Sequence, residues 1–199
     1  MPNTRFGRRG PYFAPVGARA GSRPSLWRDS GRWRQARFHL QWVMGWTNSH
    51  AHEFEVGKCV VAPDWWTKEV STDSDDTVIR DERRVSVAAV FAEIGASGEF
   101  AYRYDMGDGW EHRIVFEPPS PAWKGTDPTL PLCVAAENAC PPDDVGGPPG
   151  YARFLEALAD PKHAQHEDMV RWIGGVFDPK GFDLNRLNRD YKGSKGRRR

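Results

Sequence analysis

The sequence predicts an α+β domain, and three observations carry that expectation. The first is a period-two pattern on both sides of a Gly-rich turn. Phe100, Tyr102 and Tyr104 alternate with Ala101 and Arg103, and His112, Ile114 and Phe116 resume the alternation after Asp105-Met106-Gly107-Asp108-Gly109-Trp110. Two strands joined by such a turn make a central hairpin at about 99–117. The second is helical spacing further on: Tyr151, Phe154, Leu155 and Leu158 share one face. Met169, Val170, Trp172 and Ile173 share another, closed by Gly174-Gly175. The third is the source of core area. Nine Trp stand in a chain of 199 residues that is 39% apolar, so large aromatic side chains supply much of what is buried.

Taken in order, residues 1–32 are rich in Gly, Pro, Ser and Arg and follow neither structural period, which predicts a disordered or poorly packed arm. A helix is expected over 37–46, with Phe38, Gln41, Trp42 and Gly45 along one side, ending at Gly45-Trp46-Thr47-Asn48-Ser49. His50 to Val56 alternates as a strand does, and Cys59-Val60-Val61 continues as a second short strand. Ser71 to Asp76 is a polar loop, and Val85, Ala88, Ala89, Phe91 and Ile94 suit a short amphipathic helix. Pro118 to Pro131 and Cys133 to Gly150 are Pro- and Gly-rich and read as loops. After the two later helices, Asp178-Pro179 opens a turn, and Phe182, Leu184 and Leu187 form a last docking segment. The expected division is an arm over 1–32, a domain over 33–191 and a basic tail over 192–199.

A net charge of +1 hides a strong asymmetry. Residues 1–37 hold nine Arg against Asp29 alone, residues 192–199 hold five basic residues and no acid, and the span between them carries a net −12. Such basic arms are attracted to nucleic acid by counterion release, and Arg197, Arg198 and Arg199 are the most concentrated candidates. Solvated tails steered toward the acidic body are the other reading. No apolar run approaches the roughly 20 residues of a membrane span, and no apolar block follows the N-terminal Arg residues as in a secretory signal. Three Cys without a dense framework suit a reduced, cytoplasmic setting.

Chemistry concentrates in three segments. In the hairpin turn, Asp105 and Asp108 suit capping, yet two carboxylates beside His112 could also hold a metal or move protons. His50 and His52 stand two apart, so on one strand they would face the same way, as metal ligands or as polar filler. His50, His52, Asp105, Asp108 and His112 therefore form a candidate polar cluster, usable by a metal-dependent hydrolase if the two strands are neighbours. Cys133 and Cys140 are spaced too widely for structural zinc, and Asp143 and Asp144 sit ahead of a helix, where acids suit the dipole. No cofactor motif is present. Nucleophile-elbow, P-loop, dinucleotide-binding, zincin and zinc-finger patterns are all missing, so no catalytic residue can be named.

Four motifs together resemble the plasmid pRiA4b ORF-3-like family. They are Met44-Gly-Trp-Thr-Asn-Ser-His-Ala-His-Glu-Phe54, Phe100-Ala-Tyr-Arg-Tyr-Asp-Met-Gly-Asp-Gly-Trp-Glu-His-Arg-Ile-Val-Phe-Glu117, Cys133-Val-Ala-Ala-Glu-Asn-Ala-Cys-Pro-Pro-Asp-Asp-Val-Gly-Gly-Pro-Pro-Gly-Tyr151, and Trp172-Ile-Gly-Gly-Val-Phe-Asp-Pro-Lys-Gly-Phe-Asp183. The resemblance implies a mostly antiparallel sheet with helices packed on one side. Some relatives are insertion-element passenger proteins labelled resolvase-like, which implies a plasmid or mobile-element context and no demonstrated chemistry; that context and the charge split together suggest a binding or scaffold module. No serine- or tyrosine-recombinase constellation accompanies it here. Arg23-Pro24-Ser25-Leu26-Trp27-Arg28 resembles the family's opening motif, but a Gly/Arg/Pro-rich run stands where a preceding strand is expected. A frameshifted or misassigned start would produce such a run, and Ala136 stands where the family prefers Gly.

Overall fold

A computed structural model describes residues 19–21, 32–70, 76–94, 99–115, 132–135 and 138–196. The strands are β1 (Arg19–Gly21), β2 (His52–Val56), β3 (Cys59–Ala62), β4 (Val78–Asp81), β5 (Glu99–Tyr104), β6 (Trp110–Val115) and β7 (Leu132–Ala135). The helices are α1 (Trp33–Met44), α2 (Val87–Ile94), α3 (Gly147–Ala159), α4 (His166–Ile173) and α5 (Leu184–Gly196). This is an α+β chain whose main sheet runs β4-β3-β2-β5-β6. Three of its four pairings are antiparallel, and β3 with β4 is the parallel exception.

Strand register builds one apolar face. Phe54 pairs with Val61 on one side and Tyr102 on the other, Tyr102 pairs with His112, and Phe100 pairs with Ile114. Because side chains alternate across a strand, all of these fall on the same side of the sheet. Trp33 of α1 is fully buried against that side, with its ring 4.8 Å from Phe54, 5.5 Å from Phe100 and 6.3 Å from Phe91 of α2. Aromatic pairs at such spacings contribute about 1 kcal/mol each beyond their burial. The opposite face is charged. Arg103 pairs with Glu53, Glu55 and Glu111, and Arg113 pairs with Glu99.

The ends of α1 and α3 position the loops that matter below. Gly45 closes α1 in the left-handed region (φ 75°), where its amide donates to the Trp42 carbonyl and the Trp46 amide to the Gln41 carbonyl. That pair of bonds is a Schellman stop, and it turns Trp46 back onto the core. α3 begins at Gly147 behind Gly146, with Pro in its first turn, where a missing amide costs nothing. Tyr151 and Phe154 of α3 pack with Phe177, and Phe154 also meets Trp172 of α4, making a second aromatic cluster. Trp46 joins this region to the sheet by donating to the Pro141 carbonyl at 2.8 Å.

The structure adds to the sequence expectations in three places. β4 and β7 fall where the sequence predicts no strand, β7 inside a stretch that reads as loop. Arg19–Gly21, inside the stretch expected to be poorly packed, pairs antiparallel with β7. α5 runs on to Gly196, so the basic tail begins as helix. The expected loops at 71–75 and 118–131 lie outside the described residues, as do Arg197, Arg198 and Arg199.

Candidate functional site

Three segments meet beside the β5–β6 turn: the stretch 46–51 that leaves α1, the turn 105–109, and the loop 143–147 that enters α3. Each is held by its own residues. Asp105 donates its amide to the Ala51 carbonyl at 2.9 Å and receives the Gly107 and Asp108 amides on Oδ1 at 3.1 and 3.2 Å. Asp108 Oδ2 accepts the Gly146 amide at 3.1 Å, binding the turn to the incoming loop. Asp143 Oδ2 accepts the Thr47 amide and hydroxyl, both at 2.7 Å, which binds that loop to the end of α1. Gly147 completes the closure, because its backbone lies so near the Asp108 carbonyl that a Cβ there would stand 2.2 Å from the oxygen.

At the junction His50 lies between two carboxylates. Its Nδ1 is 3.7 Å from Asp105 Oδ2 and its Nε2 is 3.1 Å from Asp144 Oδ1. Asp105 is nearly buried, while the Asp144 side chain is 68% exposed, so the group opens to solvent on one side. One imidazole nitrogen and two carboxylate oxygens, mutually within 4.8 Å, are a donor set for a divalent cation. Asn48, Asp105 and Asp144 all have positive φ (61°, 53° and 60°). Asn and Asp tolerate that region best among residues with a side chain, and their gathering here marks backbone held by its surroundings.

Of the five residues expected to converge, the structure brings together His50 and Asp105, while Asp108 gives its carboxylate to the Gly146 amide of the same junction. His52 and His112 lie elsewhere, for a physical reason. β2 starts at His52, so the two-residue period does not reach back to His50, which sits in the preceding bend. His52 instead points into the core, where its Nε2 lies 3.0 Å from Glu82 Oε2 and Arg37 pairs with the same carboxylate. Burial pulls the His52 pKa down, against the opposing pull of Glu82. His112 meets Trp46 edge-on at 5.3 Å and lies beside Tyr102, and burial lowers its pKa to about 4.

Asp144, Asp143 and Thr47 are not among the cluster residues that the sequence predicts. Their signal is Gly146-Gly147 straight after Asp143-Asp144. A glycine pair there says that a loop approaches another backbone closely, but not which one. Asp143 and Asp144 do stand just ahead of α3, and Asp143 also accepts two bonds from Thr47.

Comparison with known proteins places the chain among relatives whose own roles are open. It is 41% identical over 162 residues to "Uncharacterized protein y4hQ" of Sinorhizobium fredii, covering 78% of this chain and 76% of that protein. A solved structure, that of the protein of unknown function MM3350 from Methanosarcina mazei Go1, superposes with a TM-score of 0.61 at 29% identity, covering 78% of this chain and 82% of the other. The family model described as "Plasmid pRiA4b ORF-3-like protein" matches residues 21–186, a span that takes in both aromatic clusters and all three segments of the junction. The chain belongs to the plasmid pRiA4b ORF-3-like family.

Proposed function

We propose that this protein is a binding module that contacts nucleic acid through the basic end of α5 and the tail beyond it. The observation that carries this reading is how charge is concentrated. From Leu184 to the end stand Arg186, Arg189, Lys192, Lys195, Arg197, Arg198 and Arg199 against the single acid Asp190, on a chain whose central span is acidic. The helix is anchored near its start, where Trp42 Nε1 donates to the Leu187 carbonyl at 3.4 Å. Arg186 and Arg189 are exposed, and the pair of Arg186 with Asp190 is long (3.8 Å) and solvated, so it holds little of that charge back. The outer sheet face suits phosphate less well, since Arg103 and Arg113 are already matched by glutamates.

A metal-dependent hydrolase using all five residues of the expected cluster is the weaker reading, because His52 and His112 serve the core. A cytoplasmic setting suits the free thiols of Cys59 and Cys140 and supplies nucleic acid as a partner. The test is a mobility-shift assay with a labelled duplex at about 50 mM and about 200 mM salt. The expected result is a shift at the lower salt that weakens by orders of magnitude at the higher. No shift at the lower salt overturns the proposal.

A further inference from the structure

We propose that His50, Asp105 and Asp144 form a site for one divalent transition-metal ion of the Zn2+ or Mn2+ class, tying the three loops of the junction together. The inference is independent of the nucleic-acid reading. It starts from a buried polar atom without a hydrogen-bond partner among the described residues, the Nε2 of His50, which stands beside two carboxylates. Asp105 keeps only 9% of its surface exposed, and both turn amides go to its Oδ1. Its Oδ2 faces His50 Nδ1 at 3.7 Å, beyond hydrogen-bond range. His50 Nε2 is buried and makes no hydrogen bond among the described residues. Asp144 Oδ1 is 3.1 Å away but off the line of a ring N–H. A buried ring nitrogen loses free energy when unpaired, and a cation held by that nitrogen and the two carboxylates would satisfy it.

The donor set selects the ion class. Mg2+ and Ca2+ favour all-oxygen shells, whereas an imidazole nitrogen with two carboxylates suits Zn2+ or Mn2+. The three ligand atoms lie within 4.8 Å of one another, against the roughly 3.4 Å of a closed tetrahedral shell, so binding the ion draws them together. Asp144 already stands 3.1 Å from His50 Nε2, and its side chain is exposed on a loop and free to follow the ion. The same exposure leaves the remaining coordination positions to water. On this geometry the ion's work is structural: it bridges the stretch after α1, the hairpin turn and the loop before α3, which lie far apart in sequence.

The experiment uses the untagged full-length chain, stripped with chelator and reloaded with Zn2+ or Mn2+ alone. It reads bound metal by elemental analysis and the thermal midpoint of unfolding. The expected result is about one equivalent bound and a midpoint that rises with metal concentration, as any ligand of the folded state requires. Asp144→Asn tolerates the same backbone conformation and should leave the metal-free midpoint where it was. It should weaken metal affinity about tenfold or more, as should His50→Gln. Less than about a tenth of an equivalent in the wild type, with no metal-dependent midpoint, overturns the site. So does metal binding of wild-type strength in both variants. If the junction is only an ion pair around a protonated His50, metal leaves the midpoint unchanged, and the proposal fails.

Discussion

A methyl group on Gly147 would stand 2.2 Å from the Asp108 carbonyl oxygen, at a φ of +66° that a side chain resists. A methyl on Gly45, at φ +75°, would meet nothing within 4 Å. The two glycines therefore separate the two costs of losing one. Gly45→Ala should lose only the conformational term, about 1 kcal/mol. Gly147→Ala should lose that and also force the 143–147 loop off the hairpin turn, about 3 kcal/mol in all. Urea unfolding of both variants measures the difference, and equal losses would show that the loop does not dock on the turn. At this scale the sequence is partly legible. Asp105 reads as a turn cap, and the Gly107 and Asp108 amides do bond to it, whereas Asp108, read the same way, accepts the Gly146 amide of another loop instead. Asp144 is not legible, because its place beside His50 depends on two segments about ninety residues apart in sequence meeting at one point.

Elements are most legible where their pattern is local. The β5–β6 hairpin carries its alternation and its turn residues in one stretch, so the amino-acid pattern alone displays it. β4 stays hidden in that pattern. Val78-Ile79-Arg80-Asp81 is short and half charged, and its pairing with β3 is parallel, which no adjacent turn announces. The alternation in β2 and β6 also sets where imidazoles go: His52 and His112 share the face of Phe54, Tyr102 and Ile114. That placement has a consequence for pH. An imidazole held near 4 in the fold, against 6.5 when free, favours the folded state fully above pH 6.5. As pH falls from 6.5 toward 4 the unfolded chain takes up the proton first, so stability drops, by up to about 3 kcal/mol for His112. His52, lowered by burial, acts in the same direction. Burial works against the Glu82 carboxylate, but its bond to His52 and the charges of Arg37 and Arg34 hold its pKa below the usual value, so Glu82 adds a further loss at lower pH. Denaturant unfolding between pH 7 and 4.5 should show this acid limb, and His112→Phe should make it shallower. An unchanged limb in that variant would show that His112 stays solvated in the fold.

For the whole molecule, the decisive quantity is the separation of charge. Residues 192–199 carry +5 of a net +1, so a chain ending at 191 is a net −4 protein with its aromatic clusters and its junction untouched. If α5 and the tail bind phosphate, affinity should follow salt as counterion release dictates: the logarithm of the binding constant falls linearly with the logarithm of salt, by about 0.9 for each phosphate neutralised. Replacing Arg197, Arg198 and Arg199 with Ala removes three of those contacts and should make the slope shallower by about 3, on any duplex sequence. Base-specific recognition would behave differently, losing affinity on one sequence while the slope changed little. Circular dichroism and the thermal midpoint are the controls and should stay at wild-type values. A slope unchanged by the triple substitution would move the contact to Arg186 and Arg189 or to the Arg-rich arm before α1. A shallower slope with an intact fold would identify the C-terminal tail as the phosphate-binding element of this family member.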